Sequence, residues 1–336
     1  MLIWLPVWMK QAPNIVVGSE QGICTNSSFY VTNVIRANSC SLCSGNKAIF
    51  TQNLIKSMTI TRKSQGLIIE KFQKKDKVCN ICRQETELSV DHVPPQACPP
   101  AKSRVTSKLL YQMIGDTSFR PRQDQNGVTF KTICSDCNNL LGSRYDWALG
   151  DLARRIEGFV ESNLNLPDSF EVECLPNAVM RSILGHLLAA KTETDEVVID
   201  ELIRPSIIDQ SIPIHDDIHI LYWVYPYEET VILRDFCMPA VRGRFQDFGF
   251  FNLIKFYPLA FLVTHQLASY EGLLSLHQFN QLLPSEKRNI QINLRSTKQS
   301  RFPEECSDDN FLAFGRTARD SVHSVPKSKS KKGKTR

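Results

Sequence analysis

Two cysteine pairs of identical spacing, Cys79-x2-Cys82 and Cys134-x2-Cys137, are the residues of this chain whose type and spacing imply chemistry most directly. Each such turn aims two sulfurs at one point, and two turns complete a tetrahedral zinc sphere with metal–sulfur distances of about 2.3 Å. Four sulfurs leave no open position, so these cysteines are assigned to folding and not to catalysis. The pairs bracket Asp91-His92, and Asn138 comes directly after Cys137. A carboxylate and an amide oxygen suit a hard cation such as Mg2+ or Mn2+. An imidazole, with its ordinary pKa of about 6.5, accepts a proton from water around neutral pH. Together they form a donor set for metal-assisted hydrolysis.

Such residues need elements to hold them. Residues 87–90 read as a short strand ending at Asp91-His92, and residues 128–133 alternate as a second strand running into Cys134. From about Asp136 the pattern becomes that of a long amphipathic helix, apolar at Leu140, Leu141, Ala148, Leu152, Ile156 and Phe159. Neighbours on a strand point to opposite sides, so one of Asp91 and His92 can reach a metal while the other reaches water. Strand, loop, strand and helix, stapled by zinc at two corners, make a compact ββα unit. Asn138 is also a good helix N-cap. Without the flanking cysteines, Asp91-His92 would read as a capped turn.

This pattern, with Val93-Pro94 after the Asp-His pair and Asn138-Asn139 opening the helix, resembles the cysteine-framed branch of the His-Asn-His (HNH) endonucleases, which share the ββα-metal fold. The resemblance covers roughly a quarter of the chain. It implies that His92 is the general base that activates water. It also implies that Asp91 and Asn138 hold one divalent cation, Mg2+ or Mn2+, beside a structural zinc, and that the substrate is nucleic acid, DNA ahead of RNA. The family's final histidine has no counterpart between His92 and His186, as in many members, and Asn139 or Asp146 is a candidate for the remaining ligand. Arg144, on the same helix, is a candidate phosphate contact. So are Lys102, Arg104, Lys108, Arg120 and Arg122 in the long loop 93–127, although each also fits a solvated charged face.

The fold class expected is α+β: a zinc-stapled ββα-metal module over residues 58–164, then a mixed α/β accessory domain over 165–299. Residues 1–57 hold five charged residues and no sustained periodicity, and read as a poorly ordered or spurious extension. Their Cys40-x2-Cys43 lacks a second pair nearby. Helices are expected near 177–191, 194–203 and 271–283. Hairpins are expected from 219–224 with 230–233, and from 249–256 with 259–264. Residues 300–336 read as a disordered basic tail. Six of the chain's 40 basic residues lie in 327–336, and without them 34 face 35 acidic residues. The net charge of +5 therefore describes the tail, which either touches phosphates or solubilises the chain. No stretch has the length or apolarity of a membrane span, and paired Cys-x2-Cys motifs point to metal in a reducing compartment, so a cytoplasmic location is expected. His186 lies on an apolar helix and reads as a satisfied core residue. His215 and His219 lack the helix that a second metal site would need. Tyr222, Trp223, Tyr225 and Tyr227 read as core aromatics or, alternatively, as a base-stacking platform. The competing functional class is a noncatalytic, zinc-stabilised binding module.

Overall fold

The computed structural model describes residues 30–32, 67–99, 103–113, 119–239, 248–265, 273–295, 297–304 and 312–327. Cys40, Cys43 and Lys102 lie outside these residues, as do most of 1–57 and all of 328–336.

The architecture is mixed α/β. An antiparallel sheet orders β14 (Leu274–Ser275), β10 (His219–Val224), β13 (Leu259–Thr264), β12 (Phe248–Phe256), β11 (Thr230–Pro239), β17 (Val322–Pro326), β5 (Arg104–Lys108) and β7 (Arg122–Asp124). Through β16 (Leu312–Phe314), β11 also gains β1 (Tyr30–Thr32). The sequence of β13, Leu-Ala-Phe-Leu-Val-Thr, is buried at every position, as an unbroken apolar run must be when both faces of its sheet are covered. Three smaller sheets pair β15 (Arg288–Asn293) with β9 (Ser169–Cys174), β2 (Leu67–Ile68) with β6 (Phe119–Arg120), and β3 (Phe72–Gln73), β8 (Thr129–Cys134) and β4 (Leu88–His92) in that order. The helices are α1 (Leu109–Met113), α2 (Ser135–Leu141), α3 (Trp147–Val160), α4 (Pro176–Ala189) and α5 (Val198–Ile208).

Helix α4 is the pivot of the packing. All of its residues are buried, and the carbonyls at its C-terminal end have no partner within the helix. Three elements supply donors instead. Thr132 Oγ1 on β8 reaches Ala189 O at 2.5 Å, Arg234 on β11 reaches Leu187 O at 3.0 Å, and Asn80, inside the first cysteine turn, reaches Leu188 O at 2.9 Å. A register shift between Leu233 and Phe236, with Asp235 at φ 57°, turns Arg234 inward. There it meets Asp200 on α5 at 2.7 Å, and Lys191 meets the other oxygen of the same carboxylate at 2.6 Å.

Several expectations are corrected by this packing. One apolar cluster runs across the expected 164/165 boundary, from Phe72 and Ile133 through Leu187 to Ile220 and Val322. β5, from the expected nuclease module, is itself a strand of the large sheet. The expected tail contributes β17, which pairs with both β11 and β5, since alternating Val322 and Ser324 face the interior. The 219–224/230–233 hairpin does not form: β13 and β12 lie between β10 and β11. The β12–β13 hairpin does form. Where a helix was expected over 271–283, the described residues 273–283 hold a short strand and one 3-10 turn.

Candidate metal centre and adjoining cleft

The four cysteine sulfurs, from the turn at Cys79–Cys82 and the β8–α2 junction, lie within 4.8 Å of one another. An ideal zinc tetrahedron with bonds of about 2.3 Å has sulfur–sulfur edges of about 3.8 Å. Cys82 Sγ and Cys134 Sγ are 3.8 Å apart. The donor set and spacing therefore fit one ion such as zinc. Backbone amides aim into the cluster as well: Cys134 N donates to Cys79 Sγ at 3.3 Å, and Cys137 N donates to Cys134 Sγ at 3.4 Å, which caps α2. A hydrogen bond with Cys137 draws the Cys79 thiol down to about 4 despite its burial, while the Cys137 thiol is raised by the same contact.

The cluster joins the end of β8 to the turn preceding β4. On β4 a register shift between Ser89 and Val90 breaks simple alternation; beyond it Asp91 is buried, while its neighbours Val90 and His92 are not. Asp91 Oδ2 lies 2.9 Å from His186 Nδ1 on α4. Among the described residues its Oδ1 has no hydrogen-bond partner. Asn138 Nδ2 donates to Val90 O at 3.0 Å and to Ser89 Oγ at 3.3 Å. A carbonyl only accepts, so this contact fixes the amide orientation and leaves Oδ1 turned away from the strand. Asp91 Oδ1 and Asn138 Oδ1 are the oxygens that these contacts leave unengaged.

His92 opens onto a cleft of about 560 Å³ shared with Gln96, Glu157, Glu161, Glu228 and Tyr257. Burial lowers the His92 pKa, the nearby Asp91 opposing this in part. Gln96 Nε2 stands 3.1 Å from His92 Nε2; an amide N–H donates, so the imidazole lone pair lies on Nε2 and faces the cleft. The loop carrying Gln96 is pressed against α3: a Cβ on Gly150 would come within 2.3 Å of Ala97 O, and Arg154 donates to the same oxygen at 2.6 Å. A glycine is needed there for that close approach.

The loop cations serve mostly within the protein. Arg104 donates to Ser324 O and Glu228 O, Arg122 pairs with Asp124 and Glu70 O, and Lys108 sits over the rings of Phe72 and Tyr111. Arg120 is exposed. Arg144 is exposed too, with one hydrogen bond to Ile208 O. Asn139 is exposed while Asp146 is buried, so they do not share a helix face. The cause is a π-turn, Gly142–Asp146, between α2 and α3. Tyr222, Trp223 and Tyr225 are buried core residues, and the Tyr222 hydroxyl bonds Gln291 O. His219 stacks on His277, and among the described residues no metal-sized donor group forms there.

His186 is buried, as its apolar helix implied, but its partners were not foreseen. Nδ1 faces Asp91, Nε2 lies 3.0 Å from Asp146 Oδ1, and Ser182 Oγ donates to that same oxygen at 2.7 Å. Burial opposes a charge on this ring, but the two carboxylates outweigh it and raise its pKa well above 6.5. A signal existed in the sequence: Ser182 and His186 are polar residues four apart on a largely apolar helix, hence on one face.

No protein-family model matches this chain, and no curated protein or solved structure matches it either. Among the described residues, no helix is long and apolar enough to cross a membrane.

Proposed function

We propose that this protein is a metal-dependent endonuclease of the HNH type, hydrolysing phosphodiester bonds in nucleic acid, with DNA the leading substrate. The observation that carries the reading is the joining of Asn138 to β4 through Val90 O at 3.0 Å, immediately beside the four-cysteine cluster. It sets Asn138 beside the strand whose end carries Asp91 and His92, with β4 and β8 antiparallel and α2 next in the chain. In this reading the four cysteines hold structural zinc, and Asp91 and Asn138 hold Mg2+ or Mn2+ through oxygens. Bound there, the cation would supply charge neutralisation at the scissile phosphate and the departing oxygen. His92, neutral near pH 7 because burial lowers its pKa, takes the proton from the attacking water at Nε2. Gln96 occupies that lone pair in the free protein and orients the ring until water replaces it. Arg144, exposed on the π-turn, contacts a substrate phosphate.

One observation favours the second reading, a noncatalytic binding module. The cleft beside His92 carries the carboxylates of Glu157, Glu161 and Glu228, which repel a phosphate backbone unless cations accompany it. Nicking of supercoiled plasmid by wild type and His92→Ala, with Mg2+ or Mn2+ added and zinc content matched, separates the two. Metal-dependent nicking abolished by His92→Ala supports the nuclease. No cutting of a broad DNA and RNA panel by zinc-replete protein supports the binding module.

A further inference from the structure

We infer that His186 is the positioning residue for Asp91, fixing which carboxylate oxygen faces the cation through a buried chain Ser182–Asp146–His186–Asp91. The inference rests on the nuclease reading, because it assigns Asp91 to the metal.

The geometry of the chain is that of an oriented support. His186 is held at both ring nitrogens, by Asp91 Oδ2 at 2.9 Å and Asp146 Oδ1 at 3.0 Å. Neither ring rotation nor displacement can occur without breaking one of these bonds. Asp146 is held in turn by the Ser182 hydroxyl at 2.7 Å, from the preceding turn of the same helix as His186. Oδ2 of Asp91 is thereby kept inward, and Oδ1 is the oxygen left for a ligand. A carboxylate free to turn about its last bond would present either oxygen, or neither.

Two features of the backbone serve this arrangement. The π-turn at Gly142–Asp146 adds one residue between α2, which carries Asn138, and α3. One added residue rotates the downstream helix by about 100° relative to an unbroken α-helix. Asp146 therefore faces α4, whereas Asn139 is exposed. Helix α4 is locked in register by Thr132, Asn80 and Arg234 at its C-terminal carbonyls, within a turn of His186. Two of these anchors come from the strand and the turn that carry Cys134 and Cys79, so the zinc corner and the His186 support move as one body.

An ordinary buried polar network would have the same bonds but would affect stability alone. Mn2+ binding to the full-length zinc-loaded chain, measured by electron paramagnetic resonance, distinguishes the two, with melting temperature and zinc content checked for every variant. Wild type is expected to bind one Mn2+ and Asp91→Ala to lose it. His186→Ala and Asp146→Ala are expected to weaken Mn2+ by about 10–100-fold, the usual range for outer-shell partners of a metal ligand. Asp146→Asn restores most of the affinity, because its amide oxygen still accepts from His186 and Ser182. If His186→Ala does not fold, the Asp146 pair decides alone. Folded His186→Ala and Asp146→Ala proteins with wild-type Mn2+ affinity would overturn the positioning role and leave the nuclease reading standing. Absence of Mn2+ binding in wild type would overturn the metal reading itself, and this role with it.

Discussion

Removing zinc from the four-cysteine cluster tests the premise on which the site is built. The cluster ties Cys82 to Cys134, 52 positions apart, so it closes a long loop. Treated as a cross-link, closure of a loop of that length restricts the unfolded chain by about 4 kcal/mol at 25 °C. That is close to the lower end of whole-domain stabilities, about 5 kcal/mol. At about 2–4 °C per kcal/mol, the melting temperature should fall by about 8–16 °C. The assay is calorimetry before and after chelation, with zinc release tracked by a chromophoric chelator and amide exchange monitored across β4, β8 and α2. Exchange protection should be lost first in these elements. Zinc-free protein that melts within about 3 °C of the loaded form, with β4 and α2 still protected, would refute the staple and remove the argument for a preset Asp91–Asn138 corner.

Asp200→Asn should destabilise the fold by about 3–5 kcal/mol at pH 7, because it leaves Arg234 and Lys191 buried without their counter-charge. Burial works to raise the Asp200 pKa, but Arg234 and Lys191 outweigh it and hold it below 3.8. Its folded pKa being depressed, this stabilisation is present above the unfolded value and is lost only as pH falls through the folded one. In urea titrations, the gap between wild type and variant should therefore stay constant from pH 7 to 5 and close below 3.8. Gly150→Ala forces a methyl to within 2.3 Å of Ala97 O and must push the loop bearing Gln96 off α3. A loss of about 1–3 kcal/mol is expected on chemical denaturation, together with reduced nicking activity. Arg144→Ala should leave stability within about 0.5 kcal/mol, since the side chain is exposed with one hydrogen bond. If Arg144 contacts phosphate, the salt dependence of DNA binding should lose about one unit of slope, read by fluorescence anisotropy across a salt series.

The cysteine pairs, the strand into Asp91-His92 and the strand into Cys134 were legible because each is written locally. Cys-x2-Cys spacing, alternation over five or six residues and an apolar helical period are properties of neighbours in the chain. The partners of His186 were not legible. They come from β4, 95 positions away, and from a π-turn, 40 positions away, that no periodicity announces. The order of the large sheet was hidden for the same reason: β10 and β11 are adjacent in sequence, yet β13 and β12 lie between them. An exposed-looking Ser- and Lys-rich C-terminal stretch became β17 because β5 and β11 present an open ladder on each side of it. By itself, then, the sequence determined which side chains can bind metal and which short segments hold them. Only the tertiary structure decided which oxygen of Asp91 is engaged by His186, and where the loop cations are used. Hydrogen bonds and ion pairs between distant segments depend on packing that local pattern does not encode.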